Sequence, residues 1–139
     1  MQTVFIASDH KGFRLKSSII EQATHEGYKM VDCGTDSPES CDYPDYAHQL
    51  CKQISEGDLG ILICNTGIGM SIAANRHNSI RAALCRDESD AEMCRKHNNA
   101  NILVLGSHNL KHEEAKNILK IFLDTPFEGG RHKKRLEKI

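Results

Sequence analysis

Apolar residues along this chain fall into two alternating kinds of run. Five short, nearly continuous runs, Thr3 to Ser8, Tyr28 to Cys33, Leu59 to Cys64, Ile80 to Cys85 and Ile102 to Leu105, have the length and continuity of strands buried on both faces. Between them the apolar positions recur every three or four residues. Leu15, Ile19, Ile20 and Ala23 mark one face of a helix from Gly12 to His25, which Gly27 ends. Ala47, Leu50, Cys51 and Ile54 mark a second helix that starts near Pro44 and stops at Gly57. A third runs through Ile72, Ala73 and Ala74. A fourth, from Asp87 to His97, carries acids in its first turn and Arg95, Lys96 and His97 in its last, as the helix dipole prefers. Ile118, Leu119, Phe122 and Leu123 define a fifth from Glu113 to Leu123, broken by Pro126, and a short sixth spans Gly130 to Lys138.

Five strands alternating with helices predict an α/β fold: a five-stranded parallel, Rossmann-like sheet inside a three-layer αβα sandwich. No linker, repeat or low-complexity stretch interrupts the pattern, so residues 1–139 read as a single domain. The pattern does not specify strand order.

Composition narrows the function classes. Charged residues are 27% and hydrophobic ones 39% of the chain, and the net charge is −1. That balance supplies no field for nucleic acid or a membrane surface. The N-terminus lacks a signal peptide's basic leader, no run reaches membrane-spanning length, and the cytoplasm is the expected compartment. The six cysteines, at 33, 41, 51, 64, 85 and 94, include no Cys-x-x-Cys pair, so a zinc motif finds no support and reduced thiols are expected. Cys33, Cys51, Cys85 and Cys94 lie in apolar patterns and read as small core residues.

Cys64 differs because it opens the stretch Cys64-Asn65-Thr66-Gly67-Ile68-Gly69 between the third strand and the third helix. In open parallel sheets, ligands bind beyond the carboxyl ends of strands. Glycines there let the backbone approach a ligand, and a helix start offers unpaired N–H groups to negative charge. The charge is either a phosphate or one that develops during a reaction. A phosphate cradle has no use for a thiol, whereas a thiol at a helix start is a candidate nucleophile or base. A plain tight turn with a buried cysteine is the structural alternative; Ser8-Asp9-His10, at the end of the first strand, weighs against it. The Walker loop is excluded by the absence of lysine. The dinucleotide fingerprint lacks its third glycine, where Ile72 stands, although Asp87 lies at a spacing suited to a ribose.

Two further groups carry chemistry. Arg131 and Arg135 are one helical turn apart in a basic segment with His132, a pair suited to gripping a phosphate, though basic helix ends are often only solvated. His97-Asn98 closes the fourth helix, where a dipole-stabilised surface histidine is the plain reading.

With these residues assembled, the chain resembles the type B ribose-5-phosphate isomerases and the wider sugar-phosphate isomerase family that includes galactose-6-phosphate isomerase. The likeness runs through Ser8-Asp9-His10-Lys11-Gly12, Asp42-Tyr43-Pro44, Cys64 through Asn75, Arg95-Lys96-His97-Asn98, and Gly129-Gly130-Arg131-His132 with Arg135. The resemblance implies an aldose–ketose isomerase that interconverts ribose 5-phosphate and ribulose 5-phosphate through an enediol, as a homodimer or tetramer, with no metal and no cofactor. It implies that Cys64 removes the proton next to the carbonyl and that His97 helps to open the sugar ring. Asp9, His10 and Tyr43 would contact the sugar. The loop from Asn65 through Thr66, Gly67 and Ile68 to Gly69 would hold the enediolate, with Thr66 among the catalytic groups. Asn98, Arg131, His132 and Arg135 would bind substrate and phosphate. Members with serine in place of Cys64 use a carboxylate at the position of Ile68, which leaves Cys64 without a rival here. Asn65 stands where many relatives have glycine, and His108 where many have a phosphate-binding arginine. The alternatives are a six-carbon sugar-phosphate isomerase, for galactose 6-phosphate or allose 6-phosphate, and a non-catalytic nucleotide- or phosphate-binding module.

Strand polarity adds one expectation. Cys64 follows the third strand and lies at the carboxyl edge of the sheet, whereas His97 precedes the fifth strand and belongs at the amino edge. The strand between spans on the order of 13–20 Å, more than a histidine side chain crosses. If both act on one sugar, His97 comes from a neighbouring subunit and each site is shared.

Overall fold

The computed structural model describes residues 2–139. Its element order is β1 (Thr3–Ser8), α1 (Phe13–His25), β2 (Lys29–Asp32), α2 (Tyr43–Cys51), β3 (Leu59–Cys64), α3 (Ile68–Ala74), β4 (Ala82–Leu84), α4 (Glu88–Asn98), β5 (Ile102–Gly106), α5 (His112–Asp124) and α6 (Arg131–Leu136). All five strands are parallel, in the order β2-β1-β3-β5-β4. The αβα sandwich is thus as expected, with shorter ends. β2 and β4, the edge strands paired on one side only, are shorter than their apolar runs, with Cys33, Ile80 and Cys85 buried just beyond their ends, and α2 ends at Cys51, so Ile54 packs on the core from the following turn.

Alternation along the strands divides the core in two. Val4, Ile6, Ile61, Ile63, Leu103 and Leu105 face one layer, with Leu15 and Ile19 of α1, Cys94 of α4 and Phe122 of α5. Ala7, Leu62, Cys64, Ile102 and Val104 face the other, with Leu50 of α2 and Met70 of α3. Both faces of β3 are fully buried, which is why it reads as an unbroken apolar run. Cys33, Cys51, Cys85 and Cys94 are core residues, as their patterns imply.

Two features positioning the edges are invisible to periodicity. Lys16 is 1% exposed, and its Nζ donates to Asp32 Oδ1 at 2.6 Å and to the Thr35 carbonyl at 2.7 Å, satisfying a cation the core otherwise excludes. Asp87, a possible ribose ligand by spacing, instead caps α4, accepting the Asp90 N–H at 2.8 Å.

Candidate active site

β1 and β3 are neighbours, and the chain leaves β1 toward β2 on one side before returning to β3 on the other. This is the switch point at which parallel sheets open a crevice. Ser8 is level with Ile63, so Asp9-His10 and the Cys64 turn leave the same edge side by side.

The Cys64 turn is built around sulfur. Cys64 is 5% exposed, and its Sγ accepts the Gly67 N–H at 3.2 Å. This contact requires the chain to double back, and Gly67 does so at φ 80, in left-handed space. A Cβ on Gly67 would lie 2.5 Å from Leu84 Cδ1, and one on Gly106 2.5 Å from the Thr66 carbonyl oxygen, so backbone runs against backbone here. The exposed Thr66 accepts the Ile68 N–H at 3.2 Å through Oγ1. At the start of α3 the N–H groups of Gly69 and Met70 donate to no atom of the described chain, while Ser71 already bonds the Gly67 carbonyl. Two donors are therefore open beside the thiol, suited to an oxyanion.

Around this turn the loops lock to one another. Asp9, 5% exposed, accepts the N–H groups of Lys11 at 2.9 Å and Gly12 at 3.1 Å through Oδ1. His10 Nδ1 accepts the Cys41 N–H at 3.2 Å, which fixes the ring from the long polar loop. The half-exposed Tyr43 opens α2 with its ring against Gly69, where a Cβ would sit 2.4 Å from Cζ. The Ser107 hydroxyl bonds the Lys11 carbonyl at 2.9 Å, and the His108 N–H bonds the Asn65 carbonyl at 2.8 Å. Asn65, Thr66 and His108 share a cleft of about 280 Å³ with Cys85, Arg86 and Gly106. Ser107 and the Cys41 backbone have no motif of their own, and only their contacts reveal them.

A second group gathers at the opposite edge. β5 enters the sheet with Ile102 level with Gly60, and α4 ends just before it, so His97 and Asn98 lie at the amino edge. Here the His97 ring stacks on His132 of α6, with centroids 4.3 Å apart. His132 is 6% exposed and its Nε2 has no hydrogen-bond partner, the nearest acid being Glu128 at 3.7 Å. Burial, His97 and Arg131 hold the His132 pKa below the usual histidine range. Arg131 and Arg135 are exposed on the same short helix, close to a cleft of about 910 Å³ lined by Leu59, Arg81, Arg95 and Lys133. Within one chain, the fold thus brings together Asp9, His10, Tyr43, Cys64 to Gly69 and His108. It keeps His97, Asn98, Arg131, His132 and Arg135 apart from them.

The whole architecture has close relatives. Residues 4–139 match the Ribose/Galactose Isomerase family model. Ribose-5-phosphate isomerase B of Escherichia coli is 42% identical over 141 residues, covering 100% of this chain and 95% of the relative. The crystal structure of a ribose 5-phosphate isomerase from Thermotoga maritima superposes with a TM-score of 0.96 at 50% identity, covering 99% of this chain and 96% of that one. Ribose-5-phosphate isomerase B from Mycoplasma genitalium, solved with bound ribulose-5-phosphate, gives a TM-score of 0.95 at 41% identity, covering 98% and 92%. The alternative of a non-catalytic module falls with these matches, and the expected enzyme class stands: the chain belongs to the ribose/galactose isomerase family and is an aldose–ketose isomerase.

Proposed function

We propose that this protein interconverts ribose 5-phosphate and ribulose 5-phosphate, with Cys64 as the base. The observation carrying this reading is the Cys64 thiol held at 3.2 Å by the Gly67 N–H, beside the open N–H groups of Gly69 and Met70. A proton next to a carbonyl is weakly acidic, so its removal requires an oxyanion to be stabilised where it forms. In the proposed cycle Cys64 takes the proton from the carbon beside the carbonyl. The two N–H groups hold the enediolate, and the same thiol returns the proton to the neighbouring carbon. Asp9, His10 and Tyr43 orient the sugar, with no metal or cofactor in the cycle. The ribulose-5-phosphate in the Mycoplasma genitalium relative supports a five-carbon substrate.

The amino-edge group completes the site from a second subunit. His97 would open the ring, and Asn98, Arg131, His132 and Arg135 would hold the phosphate, all from the partner's end of the sheet. The exposed apolar surface beside the site supports this arrangement. Ile68 and Ile72, one turn apart on α3, are 56% and 59% exposed, and Tyr43 lies nearby. A panel of ribose 5-phosphate, galactose 6-phosphate and allose 6-phosphate at matched concentration tests the substrate. The highest kcat/KM is expected for ribose 5-phosphate; a preference for either six-carbon sugar would replace the reading.

A further inference from the structure

Between the end of β4 and the inner face of α4 lie two thiols that the proposed isomerase chemistry does not use. Cys85 directly follows β4, and its N–H still bonds the Val104 carbonyl at 3.0 Å, so it is anchored to the sheet. Cys94 faces it from α4, with the two Sγ atoms 3.7 Å apart. Their other polar contacts are weak ones to local carbonyls, Cys85 to Ala83 at 3.6 Å and Cys94 to Ala91 at 3.3 Å. The pair is 2% and 7% exposed, yet Cys85 lines the 280 Å³ cleft that begins at Asn65 and Thr66. A small neutral oxidant entering that cleft meets Cys85, with the Cys94 Sγ 3.7 Å from the Cys85 Sγ. The hydrogen bond between them holds the Cys94 thiol below its usual pKa range and pushes Cys85 up, so Cys94 is the more acidic thiol of the pair.

We propose that Cys85 and Cys94 form a redox-active dithiol, closed to a disulfide by a peroxide, which restrains α4 and lowers isomerase turnover. The chemistry balances in two steps. Cys94 ionises and its thiolate attacks one peroxide oxygen; an S–O bond forms as the O–O bond breaks, and the hydroxide that leaves takes up the proton Cys94 released, as water. The Cys85 thiol then attacks the sulfenic sulfur, the S–S bond forms, the S–O bond breaks, and water leaves with the thiol's proton. Two thiols have lost two electrons and one peroxide has become two waters. Closing the sulfurs from 3.7 Å to a bond of about 2.0 Å ties α4 covalently to the residue anchored on the sheet. His97 lies one turn beyond Cys94 on that helix. The effect on turnover rests on the role proposed for His97; formation of the disulfide does not.

The test oxidises the full-length wild-type protein with graded hydrogen peroxide while saturating ribose 5-phosphate shields Cys64. Non-reducing tryptic digestion follows. The expected product joins peptide 82–86 to peptide 87–95, lighter by two hydrogens than the two reduced peptides together. Turnover should fall severalfold as the link accumulates, and dithiothreitol should restore both. Cys94→Ser, checked for an unchanged melting temperature, should show neither the link nor the reversible loss. Thiols that stay reduced, oxidation to sulfinic acid without a link, or a link with unaltered turnover would overturn the proposal. Absence of isomerase activity in the reduced protein would instead count against the proposed function, and the peptide link would still report on the dithiol.

Discussion

The two edges of the sheet hold their polar groups by different means. At the carboxyl edge three functional side chains are fixed by backbone: Cys64 by Gly67, Asp9 by Lys11 and Gly12, and His10 by Cys41. At the amino edge His97 and His132 are held by stacking on each other, and His132 Nε2 is buried without a partner. One edge is thus organised within a single chain, and the other has donors and cations that its own chain does not use. The proposed site, shared between two chains, would account for the contrast.

The largest effect should come from the self-sufficient edge. Cys64→Ala is expected to lower kcat by ~100-fold or more while isothermal titration still detects substrate binding, because a positioned base contributes at least that much. Iodoacetamide should inactivate the wild type, with ribose 5-phosphate protecting it. Turnover near wild type in the alanine variant would remove Cys64 from the chemistry.

Mixing the edges tests the comparison directly. Cys64→Ala and His97→Ala proteins, each inactive alone, would be combined under conditions that exchange subunits. Each mixed dimer then contains one intact site, and random reassortment makes half the dimers mixed, so activity should recover to roughly a quarter of wild type. If exchange is demonstrated and no activity returns, His97 works within its own chain or not at all.

Smaller effects sharpen the picture. His108 shares the cleft with Asn65 and Thr66. His108→Arg, which supplies a permanent charge, should lower KM for ribose 5-phosphate severalfold at pH 8. An unchanged KM would exclude His108 from the phosphate site.

The smallest effect is on stability. Burial and the neighbouring His97 and Arg131 depress the His132 pKa in the folded chain. The unfolded chain takes up that proton near pH 6.5, and the folded chain resists it. Stability from this group is therefore complete above about pH 6.5 and lost as pH falls below it. Thermal melts between pH 7.5 and 5.5 should show a falling Tm, with a shallower fall in His132→Gln. His77, also depressed by burial and by His48 beside it, adds in the same direction and remains in that variant.

Much of this protein is legible in its residues. The unbroken apolar run of β3, set against the three- to four-residue spacing of α5, marks a sheet covered on both faces, because burial on one or two sides dictates the period. The Cys64 turn can be read as a site because its glycines, hydroxyl and thiol are contiguous, and local backbone geometry needs no distant partner. Strand polarity alone places Cys64 and His97 at opposite ends. Tertiary structure decided what depends on contacts between distant segments. These include the order β2-β1-β3-β5-β4, the switch point at β1 and β3, and the buried Lys16–Asp32 pair. The stack of His97 on His132, the Cys41 N–H on His10, and the approach of Cys94 to Cys85 were decided there too. A chain's periodicity records which face of each element is buried, but not which neighbour buries it. That choice is made by packing, where many alternatives share the same pattern and only one fills space without leaving polar groups unpaired.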